Sequence, residues 1–278
     1  MRWFISPLAE AIENAVNDGA LTTAKGAAYS MVLAFFPTLM LLATALAGTQ
    51  TTSDLAAEIT HALSRVLPPT TKDIALAYFS KQPEHPLKLI LSAAGLAIFA
   101  ATGVTGSFIQ GFRAAYRLKF NWTLWHEEGL ALALVFMAGT PMLAATTLVV
   151  FGQQVQDWIM QHTEYTIAVL LLGAAVRWMV ALATGTLVVA IMYYLGPNCE
   201  DGFLRVLPGA FLATVAWLLA SAGFGWYVKN IAMYSGIYGS LSTMVALMIW
   251  MYLASVIVLV GSEFNAVNER KRRGGARY

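Results

Sequence analysis

From Tyr238 to Asn268 the chain reads YGSLSTMVALMIWMYLASVIVLVGSEFNAVN. Between Gly239 and Ser262 no side chain is charged, and at about 1.5 Å per residue such a helix crosses a hydrocarbon core of roughly 30 Å. The stretch is a membrane span. Beyond it Glu263, Asn265 and Asn268 lead into Glu269-Arg270-Lys271-Arg272-Arg273, and clustered Lys/Arg beside a span marks the cytoplasmic side. Trp250 and Tyr252 sit in mid-run, away from the interfaces where such rings collect, so they are predicted to face neighbouring helices.

The whole chain follows this pattern. Of its 278 residues 58% are hydrophobic and only 12% charged, against about 25% charged in soluble domains. The class is an all-α polytopic membrane protein. A net charge of +2 is too small for a nucleic-acid partner, and the single Cys199 allows no intramolecular disulfide. No cleavable signal is visible, so the first span is expected to be retained.

Residues 3 to 20 place Phe4, Leu8, Ile12, Ala15 and Val16 near helical spacing with Glu10, Glu13 and Asn17 elsewhere, which predicts an amphipathic helix at the cytoplasmic interface, with an ordinary surface helix as the plain alternative. Six spans follow, at about 25–48, 87–109, 129–152, 176–195, 207–228 and 239–262, with a basic tail over 263–278. Pro37 and Pro141 fall within the first and third and are predicted to kink them. The fourth has an apolar lead-in, 165–175; as one straight helix with the span it would overshoot the bilayer. It is expected either to tilt with the span or to form a separate interfacial piece. Gly196-Pro197-Asn198 ends that helix. Extra amphipathic helices are expected on the outer side within 49–86, around Leu55 to Leu67 and Ile74 to Phe79.

Charge supports this topology. Arg2, Lys25, Arg113, Arg117, Lys119, Arg205 and the tail's Arg270, Lys271, Arg272, Arg273 and Arg277 fall in segments assigned to the cytoplasm, whereas Arg65, Lys72, Lys81, Lys88 and Lys229 fall outside. Both termini are therefore expected inside.

Little in the sequence resembles an active site. His61, His85, His126 and His162 are scattered, with no second His or Cys at ligand spacing, and Gly-rich phosphate loops and Gly-x-Ser-x-Gly are absent. Neither a metal nor another cofactor is expected, and neither is an enzyme. What remains is polarity at membrane depth. Arg177 is the sharpest candidate, because a guanidinium in a span needs a partner and can grip a phosphate or carboxylate; the competing reading is a snorkelling or structurally paired Arg. Thr102, Thr105 and Gln110, among the small residues of the second span, are candidate cavity-lining groups, with close helix packing as the plain alternative. Glu263 is a candidate gate or proton carrier, or the ion-pair partner of a base such as Arg113 or Arg117.

Four stretches carry a family resemblance. They are Ala27-Ala28-Tyr29 with Phe35-Phe36-Pro37; Arg177-Trp178 with Tyr193-Tyr194 and Gly196-Pro197-Asn198; Pro208-Gly209-Ala210 with Trp217, Phe224 and Tyr227; and Tyr238-Gly239-Ser240-Leu241, Trp250-Met251-Tyr252 and Gly261-Ser262-Glu263-Phe264-Asn265-Ala266. In order and spacing over about residues 20 to 268 the chain resembles the YihY/BrkB family of bacterial inner-membrane proteins, once listed under ribonuclease BN. Ser262 stands where that family usually has alanine, and Gly111 to Arg117 matches loosely.

The resemblance implies a multi-pass envelope protein of the inner membrane, linked in some members to virulence and in others to export of lipid or lipopolysaccharide precursors. The expected function is transport, or assisted export, of a lipid or other amphipathic anion, with membrane lipids as partners. A homo-oligomer or envelope-assembly proteins are the expected protein partners, and a non-transporting scaffold is the competing class. The ribonuclease label is not carried over.

Overall fold

The computed structural model describes residues 2–47, 86–118, 124–162, 166–197, 202–230 and 240–275. Seven α-helices account for them: α1 (Arg2–Asn17), α2 (Ala20–Ala47), α3 (Pro86–Ala115), α4 (Leu124–His162), α5 (Thr166–Leu195), α6 (Phe203–Asn230) and α7 (Ser240–Gly275), with no strand among the described residues. Helix is the expected outcome, because a chain in hydrocarbon must satisfy its backbone polar groups internally.

Six of the helices hold a stretch long and apolar enough to cross a membrane: Ala20–Leu41, Ile90–Ala115, Trp125–Ala145, Leu171–Leu195, Phe203–Tyr227 and Met244–Gly274. Each overlaps one of the six spans expected from the sequence. The protein is an all-α polytopic membrane protein.

Local backbone chemistry ends the helices. α1 ends at Gly19, whose φ of 78° suits a residue without Cβ, and the next helix starts from its carbonyl, which accepts from Thr22 N at 3.0 Å and Thr23 N at 3.1 Å. α3 ends in a Schellman pattern: Leu118 N donates to Arg113 O at 3.0 Å and Arg117 N to Ala114 O at 2.9 Å. Arg117 itself occupies the left-handed position there, with φ 53°. Gly196 N still bonds Met192 O at 2.9 Å, and the helix stops at Leu195, before Pro197.

Helices run further than the spans read from the sequence. The lead-in 166–175 is part of one continuous helix with the fourth span, not a separate piece. α4 continues through the polar stretch after the third span as far as His162, because nothing in residues 153–162 breaks a helix. Pro37 and Pro141 lie inside continuous helices. The expected outer helices within 49–85 lie outside the described residues.

The described residues cluster into two compact units. One takes residues from Met1–Thr23, Thr105–Leu219 and Val256–Tyr278; the other takes residues from Ala24–Val104 and Ala220–Ser255. In the second unit Ala28, Val32 and Met251 form a buried cluster against which Phe35, Trp250 and Tyr252 pack. Trp250 Nε1 donates to Ser221 Oγ at 3.3 Å, so this mid-span ring faces a neighbouring helix, as its position predicts. In the first unit Ile109, Ala131 and Leu134 form one cluster, and Ala11, Phe264 and Val267 another, on which Leu8 and Leu212 pack.

Candidate functional site

The first unit holds most of the buried polar chemistry among the described residues: Arg113, Thr105, Thr214, Ser262, Glu263 and Asn265 are all buried. Two features stand out, a knot between α6 and α7 and a charged end.

The knot begins with glycines. A Cβ on Gly261 would lie 2.5 Å from Tyr193 Oη and 2.8 Å from Ala213 Cβ, and one on Gly209 would lie 2.5 Å from Asn265 Cγ. The two backbones therefore approach to a distance that only glycine permits. Asn265 uses that proximity: its Oδ1 accepts from Gly209 N at 2.9 Å and its Nδ2 donates to Val206 O at 2.9 Å. Pro208, which cannot donate to the helix ladder, lies between these two partners. Tyr193, fully buried on α5, donates its hydroxyl to Val258 O of α7 and meets Phe112 edge-on at 5.1 Å. Tyr193, Pro208-Gly209-Ala210 and Gly261 to Asn265 are distant in sequence, yet they form one contact.

The charged end joins four segments. Glu263 is 2% exposed and pairs with Arg270 Nη2 at 3.2 Å, one helix face along from it. The carboxyl of Asp18, from the turn after α1, also lies beside it. Asp18 faces Arg117 Nε at 3.9 Å; Lys271 reaches Glu10 of α1 at 2.7 Å; and Glu269 faces Arg205 of α6 at 3.7 Å and Arg273 at 2.8 Å. Three separate sets of ion pairs thus tie α1 and the turn after it, the end of α3 and the start of α6 to the end of α7.

The third feature is apolar. Met179, Leu182, Ala183, Thr186 and Leu187 of α5, with Leu207 and Phe211 of α6, line an open groove of about 390 Å³. Ligand pockets usually measure about 300–1,000 Å³. Thr186 presents little polarity to it, since its Oγ1 is buried with no hydrogen-bond partner among the described residues.

The residues singled out from sequence are dispersed. Thr105 Oγ1 donates to Ala131 O across to α4 at 3.1 Å, which is helix packing. Thr102 Oγ1 donates to Phe99 O of its own helix at 2.7 Å, and Gln110 is exposed. Arg177 is half-buried on α5; at about 100° per residue it lies roughly 180° around the helix from Thr186, on the side away from the groove. Glu263 takes Arg270 as its ion-pair partner, with Arg117 at longer range, while Arg113 is buried on α3. Sequence reasoning assigned no role to Asn265 or Tyr193, although both stood in the quoted motifs. The groove residues are ordinary span residues and carry no signal of their own.

The residues that meet in the knot all fall within the stretch that matches a known family. The family of virulence factor BrkB matches residues 11–278. This chain belongs to the BrkB family. Its relatives include a putative ribonuclease-like protein YfkH of Bacillus subtilis, 28% identical over 177 residues, which are 64% of either chain. A UPF0761 membrane protein of Alteromonas mediterranea is 26% identical across 91% of this BrkB-family chain and 84% of its own length. A UPF0761 membrane protein of Tolumonas auensis is 30% identical over 48% of this chain and 42% of its own. The matches to the Bacillus and Tolumonas proteins thus span less than two thirds of those relatives. No solved structure matches.

Proposed function

We propose that this BrkB-family chain is a bacterial inner-membrane protein that moves, or helps to move, a lipid or other amphipathic anion during envelope biogenesis. The observation that carries the reading is the groove between α5 and α6. It is apolar, it opens sideways beside the exposed faces of Met179 and Phe211, and in a bilayer the material at such an opening is acyl chain.

Both termini lie on the cytoplasmic side in this reading. Supporting it, α1, the end of α3, the start of α6 and the tail, all assigned to that side from charge, are joined by ion pairs. The proposal gives the chain no catalytic chemistry, metal or nucleic-acid partner. The ribonuclease-like name of the Bacillus relative is set aside, because a net charge of +2 offers no electrostatic footprint for a polynucleotide. Arg177 is kept as a separate headgroup site, since its place on α5 is remote from the groove face.

Translocation of labelled phospholipids in proteoliposomes tests the reading, with empty vesicles, the intact chain, Ala183→Trp and Arg177→Ala compared. Acceleration by the intact chain that Ala183→Trp removes supports a lipid path along the groove. Equal rates in protein-containing and empty vesicles for every lipid class overturn it.

A further inference from the structure

α1 is amphipathic, and tertiary packing uses only part of its apolar side. At about 100° per residue its apolar arc runs through roughly 140°, from Ala11 through Ala15, Leu8 and Ile12 to Val16. The first part of the arc is occupied: Ala11 is buried against Phe264 and Val267, Leu8 packs on the same cluster, and Ala15 is buried. The last part is open, with Ile12 50% and Val16 54% exposed. Glu13 and Asn17 follow further round, also exposed.

We infer that the Ile12–Val16 edge of α1 is inserted into the surface of the bilayer, so that α1 is a membrane-surface helix clamped on its other edge by α7. Three observations select lipid as the occupant. Among the described side chains the edge is two wide, far below the roughly 1,000 Å² that a stable protein partner requires but suited to an interfacial helix. It adjoins a membrane span in the chain, since only Asp18 and Gly19 separate α1 from α2, whose span begins at Ala20 and whose Leu21 is also exposed. The rotation of α1 is set independently by Ala11 on Phe264 and by Glu10 on Lys271 at 2.7 Å, so the open edge cannot roll inward. A depth follows for the charged end: Asp18 immediately follows α1 and lies beside Glu263, which places that carboxyl at headgroup level and the uncharged run of α7 in the hydrocarbon.

Single cysteines carrying an environment-sensitive fluorophore test this in the full chain with Cys199→Ser. Ile12→Cys and Glu13→Cys are compared in phosphatidylcholine vesicles containing nitroxide-labelled acyl chains, with Val16→Cys and Asn17→Cys as a second pair should either of the first misfold. Fluorescence is expected to be lost to the lipid quencher at 12 and 16 and retained at 13 and 17, with the reverse order for aqueous iodide. Iodide quenching at 12 and 16 equal to that at 13 and 17 would overturn the inference, as would protection of 12 and 16 from both quenchers, which would mean that protein covers the edge.

Discussion

Asn265 and Gly209 are joined by a 2.9 Å hydrogen bond from the glycine N–H to the asparagine Oδ1, made possible by the missing Cβ that would otherwise fill the space. Since Asn265 Nδ2 also donates to Val206 O, one side chain secures α6 to α7 beside Pro208. Replacing Asn265 by Ala should cost about 1–3 kcal/mol, the penalty for buried polar groups left without a partner. Thermal unfolding in detergent, followed by tryptophan fluorescence, would show a lowered midpoint; an unchanged midpoint would mean that the helix ladder absorbs both groups.

The glycine crossing makes a paired prediction. Gly261→Ala drives a methyl to within 2.5 Å of Tyr193 Oη and 2.8 Å of Ala213 Cβ, and overpacking of this kind costs about 1–3 kcal/mol. Gly223 meets nothing within 4 Å, so Gly223→Ala should be neutral or, through helix propensity, stabilising by up to about 1 kcal/mol. The same melting experiment on both variants decides whether the α6–α7 crossing needs close approach or merely a helix rich in glycine.

Ser262 is 0% exposed and its Oγ finds no hydrogen-bond partner among the described residues. Ser262→Ala should therefore stabilise the protein, by about 1–3 kcal/mol if the hydroxyl is dry. A fall in the melting midpoint would reveal an ordered water bonded to Ser262.

Arg270 is the ion-pair partner of the buried Glu263. Arg270→Ala leaves that carboxyl without the guanidinium and should destabilise by about 1.5–3 kcal/mol, the range for hydrogen bonds to charged groups. Adding Glu263→Gln should restore part of the loss, because a neutral amide beside the Asp18 carboxyl tolerates burial without a counter-charge better than a carboxylate does. Additive losses in the double-mutant cycle would show that the two side chains act independently.

Ala183 lines the groove without contributing to the knot. Ala183→Trp should leave the melting midpoint near that of the parent while abolishing lipid acceleration in proteoliposomes. Retained acceleration would place any lipid path elsewhere on the protein.

The membrane class and the six spans were legible in the chain because hydrophobic transfer is additive along a helix and needs no knowledge of neighbours. The turn at Gly196-Pro197 was legible for a similar reason, since it is local backbone chemistry. The lead-in 166–175 was not: residues that pass for an interfacial piece or for helix by hydrophobicity alone become one helix with α5 in the fold.

The candidate site shows the same division. Glu263 could be named from sequence because a carboxylate at the end of an apolar run is conspicuous, but its ion pair with Arg270 and its proximity to Asp18 depend on helix phase and on which segments meet. Arg177 was conspicuous on the same grounds, and only its angular position on α5 separates it from the groove. The sequence by itself determined that this is an all-α polytopic membrane protein of the BrkB kind, because burial in lipid is decided residue by residue. Tertiary structure alone decided that Tyr193, Gly209 and Asn265 form one knot and that half the apolar edge of α1 stays open. Those outcomes depend on the rotation and approach of helices, and a hydrophobic pattern constrains neither once every face is apolar.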